Sequence, residues 1–373
     1  MSAKPDYLLI SRSGLWSGAE KMLIVLVRAL AGMEGKPAVR CIFGVDVATR
    51  LMPADAPNVE VVLKHPLKKV SANPWLIFFY FMCGFLYLFK LVRIPSRCVL
   101  IFNDLESLLV CWPGALFRRS YFYLHDAHKL DGLKGRGICT FISLLVTRIL
   151  VITESRVGKL AGVGVTNTRY FPNCVSTKAK PFEQQETVEK NFGRPAYKAV
   201  SVGQITAWKR IDKSIVLVDR LNQLGLPIEL EIFGRPDPLS PADIDYFRHI
   251  QEMCCASGFA SLGGYTENLP GIYREADLFV SMSVNEPFGL SLVEALSFGV
   301  PAIAMEGEGP DEILSADVGL LLLEGFECDD DLVDRVKHVI SISPTKCKER
   351  AGLYSYEIYK ERVRCEFEPE CSV

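Results

Sequence analysis

The chain lacks most of the features that would assign it a function at sight. Its twelve cysteines include no Cys-x-x-Cys pair, and only Cys254 and Cys255 stand together. Without zinc spacing or a disulfide framework, they are expected as reduced, mostly buried thiols of an intracellular protein. The opening MSAKPDYLLISRSG has no apolar core of signal-peptide length, so secretion is not expected. There is no low-complexity tract and no repeat of solenoid period. Net charge is small, −2 from 42 Lys+Arg and 44 Asp+Glu. The longest uncharged apolar run, residues 75–89 (WLIFFYFMCGFLYLF), ends at Lys90. A spanning helix needs about 20 apolar residues, so this run is expected as a buried helix or one lying in a membrane interface. Lys64, Lys68 and Lys69 precede it and Lys90, Arg93 and Arg97 follow. Basic residues beside aromatics are what anionic headgroups attract.

What is present is a globular composition: 373 residues, 49% apolar and 23% charged, enough for two domains with real cores. The charge is unevenly placed. Residues 1–180 carry 24 basic and 11 acidic side chains, and residues 181–373 carry 18 and 33. That asymmetry turns the first half toward an anionic partner such as a membrane surface. Its basic residues are dispersed rather than interleaved with stacking aromatics, so nucleic acid is not expected.

Both halves alternate strand-like runs with helical patterns, the signature of α/β folding around a parallel sheet. In the first half YLLIS (7–11), RCIFGV (40–45), VEVVL (59–63), CVLIF (98–102), YFYL (121–124) and ILVIT (149–153) read as strands, and KMLIVLVRALAG (21–32) as a helix ending at Gly32. The second half restarts with AVSVG (199–203), a helix over 214–225, and strands ELEIFG (229–234) and LFVSMS (278–283). The charged segment 347–368 reads as one amphipathic helix. Composition places an N-terminal domain over 1–178, a polar linker over 179–198, a second domain over 199–345 and a C-terminal crossover helix over 346–373.

The most informative segment is SMSVNEPFGLSLVEALSFGVPAIA (281–304). A strand is expected to end near Ser283, with Pro287 and Gly289 turning the chain. A helix then runs from about Leu290 to Phe298, where Gly299 caps it and Pro301 stops it. Glu286 therefore falls in a loop at the carboxyl end of a strand, where open α/β sheets bind ligands. Glu294 falls in the helix that follows. The backbone N–H groups of Phe288, Gly289 and Leu290 would point between the two carboxylates, suited to an anion. Carboxylates accept paired hydrogen bonds from the diols of sugars and ribose.

This string resembles the Glu-x7-Glu region of the retaining glycosyltransferases of family 4, which have the two-domain GT-B fold. SVGQITAWKRID (201–212) is similar to that family's phosphate-binding strand-turn, GGYTENLPGIYREADLFVSMS (263–283) to the run leading into the Glu-x7-Glu loop, and SGAEKMLIVLVRAL (17–30) to its Gly-Gly-Ala-Glu helix entry. LHDAH (124–128), PNCV (172–175) and GPDEI (309–313) are weaker matches in the same order.

The resemblance implies an α/β fold of two Rossmann-like doubly wound domains facing across a cleft, with a C-terminal helix returning to the first. It implies that Lys209 holds the donor diphosphate, Glu294 binds the ribose and Glu286 binds donor-sugar hydroxyls. Gly203 and Gln204 lie in the phosphate turn, and the amides of Phe288, Gly289 and Leu290 would touch sugar or phosphate. Gly18 would let a phosphate approach the mouth of the first helix without a Cβ in the way. His125 matches the histidine near the anomeric carbon, although Asp126 and His128 compete for that position, and Arg210 competes with Lys209 as phosphate ligand. One departure stands out: the family usually has Arg where this chain has Gln204. An amide brings no charge to a leaving diphosphate, unless Arg210 or Arg235 supplies it.

The activity implied is retaining transfer of a hexose from a UDP- or GDP-linked sugar to an acceptor hydroxyl. The GT-B resemblance implies no metal, and no cofactor beyond the donor. The basic first half and the run at 75–89 extend the expectation to a lipid-linked glycan in cell-surface polysaccharide or lipopolysaccharide assembly, met by a cytoplasmic protein peripheral on the inner membrane face. The competing expectation is a degenerate GT-B subunit that binds nucleotide or a partner without transferring sugar.

Overall fold

Short apolar strands, most of them followed by a helix that returns the chain to the same end, build two parallel sheets. The computed structural model describes residues 6–11, 18–43, 58–63, 75–91, 96–125, 132–175 and 195–368. Two compact units divide the chain: Met1–Cys174 joined by Glu357–Val373, and Val175–Tyr356.

Among the described residues, the first unit has strands β1 (Tyr7–Ser11), β2 (Val39–Phe43), β3 (Val59–Leu63), β4 (Val99–Phe102), β5 (Ser120–Leu124), β6 (Arg148–Val151) and β7 (Thr168–Tyr170). They pair in parallel in the order β3-β2-β1-β4-β5-β6-β7. Every residue of β1, β4 and β5 is buried, as central parallel strands with helices on both faces must be. Their helices are α1 (Gly18–Ala31), α2 (Trp75–Leu91), α3 (Leu105–Phe117), α4 (Gly132–Leu145) and α5 (Glu154–Ala161). Asp104 caps α3 by accepting from the Ser107 amide at 2.7 Å. Burial pushes the Cys41 thiol up to about 12 and the Cys98 thiol to about 11, consistent with cysteines used as small apolar residues.

The second unit has β8 (Tyr197–Val202), β9 (Ile228–Phe233), β10 (Ala260–Gly264), β11 (Leu278–Ser281), β12 (Ala302–Met305) and β13 (Gly319–Leu322), all parallel in the order β10-β9-β8-β11-β12-β13. Its helices are α6 (Ile211–Gln223), α7 (Pro241–Ser257), α8 (Leu269–Glu275), α9 (Leu290–Ser297), α10 (Glu308–Ile313), α11 (Asp330–Ile340) and α12 (Pro344–Gly352). In each sheet the chain reverses its direction of growth once, between β1 and β4 and between β8 and β11. The carboxyl ends of those strand pairs are where open α/β sheets leave a crevice.

The last helix, α13 (Tyr356–Phe367), belongs to the first unit from Glu357 onward. Phe367 is fully buried against the rings of Tyr7 and Tyr121, at 5.9 and 4.6 Å between centroids. Glu366 is buried with Arg148 at 2.8 Å and Arg169 at 3.6 Å, and Arg119 donates to its backbone oxygen at 2.7 Å. The helical C-terminus thus returns to the first sheet.

Two expectations need correction. Residues 347–368 are not one helix: α12 ends at Gly352 and α13 starts at Tyr356. The interruption serves tertiary contacts, because Ser355 bridges Val175 and Tyr354 accepts from the Val175 amide while its ring packs edge-on against Phe288. Strand β7, three residues of Thr-Arg-Tyr, carries too little apolar pattern to be read and exists through its register with β6. Residues 44–45 of the expected second strand and most of the expected linker lie outside the described residues.

Candidate functional site

The two carboxylates of the 281–304 segment sit where their spacing predicts. Strand β11 ends at Ser281, Glu286 lies in the loop beyond it, and α9 begins at Leu290 with Glu294 in its second turn. Gly289 caps this helix at φ +93°, a backbone that side chains disfavour, and its carbonyl accepts from the amides of Leu292 and Val293. The amides of Leu290 and Ser291, which precede those bonds, have no acceptor within the helix and can face an anion.

Lys209 comes from the neighbouring strand. After β8 the chain makes a single 3-10 turn over Ala207–Lys209, and Arg210 adopts the left-handed region at φ +47° before α6 starts. The Val284 amide donates to the Trp208 carbonyl at 2.9 Å, which ties the Glu286 loop to this turn. The result is a direct contact: Lys209 Nζ donates to Glu286 Oε2 at 2.5 Å, with the two side chains only 16% and 12% exposed. Lys209 also lies over the Trp208 ring, 4.2 Å from its centroid. A cation, a carboxylate and helix N-terminal amides thus converge on the β8/β11 reversal point.

Glu294 has a partner that the sequence did not reveal. Tyr273 in α8 is fully buried and stacks on Phe298 at 5.7 Å; its hydroxyl donates to the Ser291 carbonyl at 3.3 Å in the first turn of α9 and lies beside the Glu294 side chain. Burial first, and then the Glu294 charge, hold this phenol well above its usual range, so it stays a donor. Tyr273→Phe keeps the packing and removes the hydroxyl that ties α8 to Ser291 and faces Glu294. If Glu294 holds a nucleotide ribose, the variant is expected to bind nucleotide about tenfold more weakly by titration calorimetry, with unfolding nearly unchanged.

Other expected residues are placed differently. Arg210 is engaged elsewhere, donating to Glu324 at 2.8 and 3.1 Å near the surface. Gln204 is exposed after Gly203. Beside it, the Ile205 amide donates to the Arg235 carbonyl at 3.0 Å, and the Arg235 guanidinium lies over Tyr265 at 4.3 Å. Of the two cations considered as replacements at this turn, Arg235 is the one whose backbone adjoins it. Phe288 is buried and Leu290 opens α9.

In the first unit, Gly18 is the exposed first residue of α1. His125 is buried just past β5, its Nε2 3.0 Å from Asn103 Oδ1 and its ring 4.0 Å from that of Tyr123. Asn103 follows β4, so the pair stands beside that sheet's reversal point, and neither it nor Tyr273 was singled out from the sequence. The rival positions 126 and 128 lie outside the described residues. Among the described residues no group of three or more His, Cys, Asp or Glu is close enough to hold a metal ion.

Comparison with known proteins fits this arrangement. Residues 183–356 match the family of glycosyl transferases group 1. The match lies wholly within the second unit, the one that carries Lys209, Glu286 and Glu294. Mannosylfructose-phosphate synthase of Agrobacterium fabrum is 26% identical over 176 residues, 45% of this chain and 36% of that protein. A GDP-mannose-dependent alpha-(1-6)-phosphatidylinositol dimannoside mannosyltransferase of Mycobacterium tuberculosis is 24% identical over 210 residues, 53% of this chain and 50% of the relative. The matched stretches thus span half or less of these curated relatives. Among solved structures, HepE of Anabaena, crystallised with UDP and glucose, covers 96% of this chain at a TM-score of 0.69 and 17% identity, with 98% of HepE covered. The lipopolysaccharide outer core galactosyltransferase WaaB covers 96% at 0.70 and 15% identity, with 98% of WaaB covered. At such identities the likeness establishes the fold, which is that of GT-B glycosyltransferases.

Proposed function

We propose that this chain is a retaining, metal-independent glycosyltransferase of the family 4, Glu-x7-Glu type, moving a hexose from a UDP- or GDP-linked donor to an acceptor hydroxyl. The observation that carries the reading is the Lys209–Glu286 pair at the β8/β11 reversal point, with Glu294 on the adjoining helix. In this reading Lys209 turns from Glu286 to the donor diphosphate, and Glu286 turns to the sugar hydroxyls. Glu294, beside the Tyr273 hydroxyl, accepts from the ribose diol, and the α9 amides face the phosphates. The bond from the anomeric carbon to the diphosphate breaks as the acceptor oxygen bonds that carbon on the same face. The acceptor proton passes to the departing phosphate oxygen, so no protein nucleophile is needed. Charge developing on the diphosphate is met by Lys209, helix amides and Arg235, which takes the place of an Arg at position 204. In the first unit, His125, with Asn103 Oδ1 3.0 Å from its Nε2, is the residue assigned to the acceptor.

The acceptor in this reading is a lipid-linked glycan of cell-surface polysaccharide or lipopolysaccharide assembly, reached by a cytoplasmic protein resting on the membrane. The basic balance of residues 1–180 supports it, as do relatives whose names include a phosphatidylinositol dimannoside mannosyltransferase and an outer core galactosyltransferase.

Thermal unfolding in UDP, GDP, ADP and CMP tests the donor half. A nucleotide at about 100 times its dissociation constant adds roughly 2.7 kcal/mol to a folded state that alone binds it. One nucleotide is expected to raise the midpoint, and Glu294→Ala to abolish the rise. With that nucleotide's sugars as donors, proton NMR of the product is expected to show the donor's anomeric configuration kept. Binding without turnover on any sugar would instead favour the degenerate subunit, and no binding at all would overturn the site.

A further inference from the structure

Helix α2 is apolar on every side, yet among its described side chains, residues 75–85, only one side is packed. Its inner face is built for α3: Phe81 stacks on Trp112 at 4.7 Å and 8°, and Trp112 Nε1 donates to the Phe81 carbonyl at 2.9 Å. Gly84 lets the two helices close, since a Cβ there would stand 2.3 Å from Trp112 Nε1. Tyr80 is buried with Leu109 and Val110. These contacts fix the rotation of the helix, and with it which residues face outward. Residues 75, 78, 79 and 82 recur at helical spacing on the opposite side, and Trp75, Phe78 and Phe79 are 79%, 63% and 58% exposed, with Met82 also open. A helix hydrophobic all round is ordinarily covered on all sides. A contiguous patch of this size on a water-soluble surface marks an interaction site.

The charge that flanks the patch in the sequence selects the occupant. From Val61 through Asn103 the sequence has no Asp or Glu at all, while it has Lys64, Lys68, Lys69, Lys90, Arg93 and Arg97, the last of them 3.5 Å from Asp6. A protein partner or a second copy of this chain would have to cover that many like charges, whereas an anionic lipid surface is attracted by them and accepts aromatics at headgroup depth. Crossing the bilayer is excluded by connectivity. The chain leaves β3 for α2 and returns to β4 in the same sheet, and no helix among the described residues is long and apolar enough to span.

We infer that α2 is a monotopic membrane anchor: Phe78, Phe79 and Met82 insert into an anionic leaflet while the flanking Lys and Arg residues bind its headgroups. The inference rests on the membrane part of the proposed function and gives it a specific surface. The test is sedimentation of the full chain with vesicles of phosphatidylglycerol and phosphatidylcholine in equal parts, beside vesicles of phosphatidylcholine alone. Wild type is expected to bind the anionic vesicles, to release in high salt, and to shift Trp75 emission to the blue.

The triple variant Phe78→Gln, Phe79→Gln, Met82→Gln keeps good helix formers at solvent-facing sites. It is expected to lose roughly tenfold or more in vesicle partition while keeping its nucleotide-induced rise in unfolding midpoint. Wild-type binding that the triple variant retains would overturn this face and leave a membrane-bound enzyme intact. No wild-type binding, or a wild-type dimer that the variant converts to monomer, would overturn the anchor. Neither result touches the donor site, whose failure would show as a missing nucleotide response.

Discussion

Replacing Lys209 by alanine is expected to lower the turnover of sugar transfer by about a hundred- to a thousandfold, with KM for the donor changed much less. That pattern belongs to a cation whose contact strengthens as charge builds on the leaving diphosphate, and the magnitude is typical for loss of one such preorganised group. The ground state complicates the reading, because Lys209 already donates to Glu286 at 2.5 Å with both side chains mostly buried. Lys209→Ala therefore also strands a carboxylate in a poorly solvated place, at a cost of about 1–3 kcal/mol in stability. The double variant Lys209→Met, Glu286→Gln separates the two effects, since it removes both charges and keeps the volume. Its unfolding midpoint is expected to return to near wild type while turnover stays lost. Turnover restored along with stability would mean that Lys209 does no more than neutralise Glu286. In the proposed reading, each group of the pair holds the other until a donor supplies a phosphate for one and hydroxyls for the other.

How much of this was legible beforehand follows from the range of the interactions involved. Strands such as Tyr7–Ser11 and Val59–Leu63 were readable to the residue, because a buried parallel strand is a short apolar run between turn signals. The loop position of Glu286 and the helix position of Glu294 were readable too, from Pro287, Gly289, Gly299 and Pro301 within one local stretch. Pairings across the fold were not. Lys209 and Glu286 are 77 residues apart in sequence, and Arg210 and Glu324 are 114 apart. Nothing local distinguishes a lysine that reaches a carboxylate from an arginine drawn to the surface by another. Nothing local sets Tyr273 apart from a core aromatic, and its hydroxyl meets Ser291 and Glu294 only because the β11–α9 unit brings them to it. Helix α2 was ambiguous for a related reason. Periodicity cannot rotate a helix that is apolar all round, and the rotation came from Trp112 and Gly84.

Gly309→Ala is the second substitution with a large expected effect, and it acts without touching any charged group. A Cβ at this position would lie 2.0 Å from the Phe288 carbonyl oxygen and 2.3 Å from its carbon. Phe288 cannot yield easily, since it is buried and held edge-on by Tyr354 at 5.5 Å. The Gly309 amide, moreover, donates to the Glu286 carbonyl at 3.2 Å, so the backbone that must move is the one that carries Glu286. Overpacking of this kind costs about 1–3 kcal/mol. A displacement of the loop on the order of 1 Å is enough to lower a positioned reaction about a hundredfold. Chemical denaturation and turnover of the same preparation check both. Gly352→Ala is the control: it lies at the end of α12, where an added Cβ meets nothing within 4 Å. It is expected to leave turnover unchanged and stability the same or slightly higher. Activity that falls for Gly309→Ala and not for Gly352→Ala would tie the loss to the approach of α10 against the Glu286 loop. If Gly309→Ala stays fully active, the position of that loop does not govern the chemistry, and Glu286 would have to act from a range of geometries that hydrogen bonding to sugar hydroxyls does not permit.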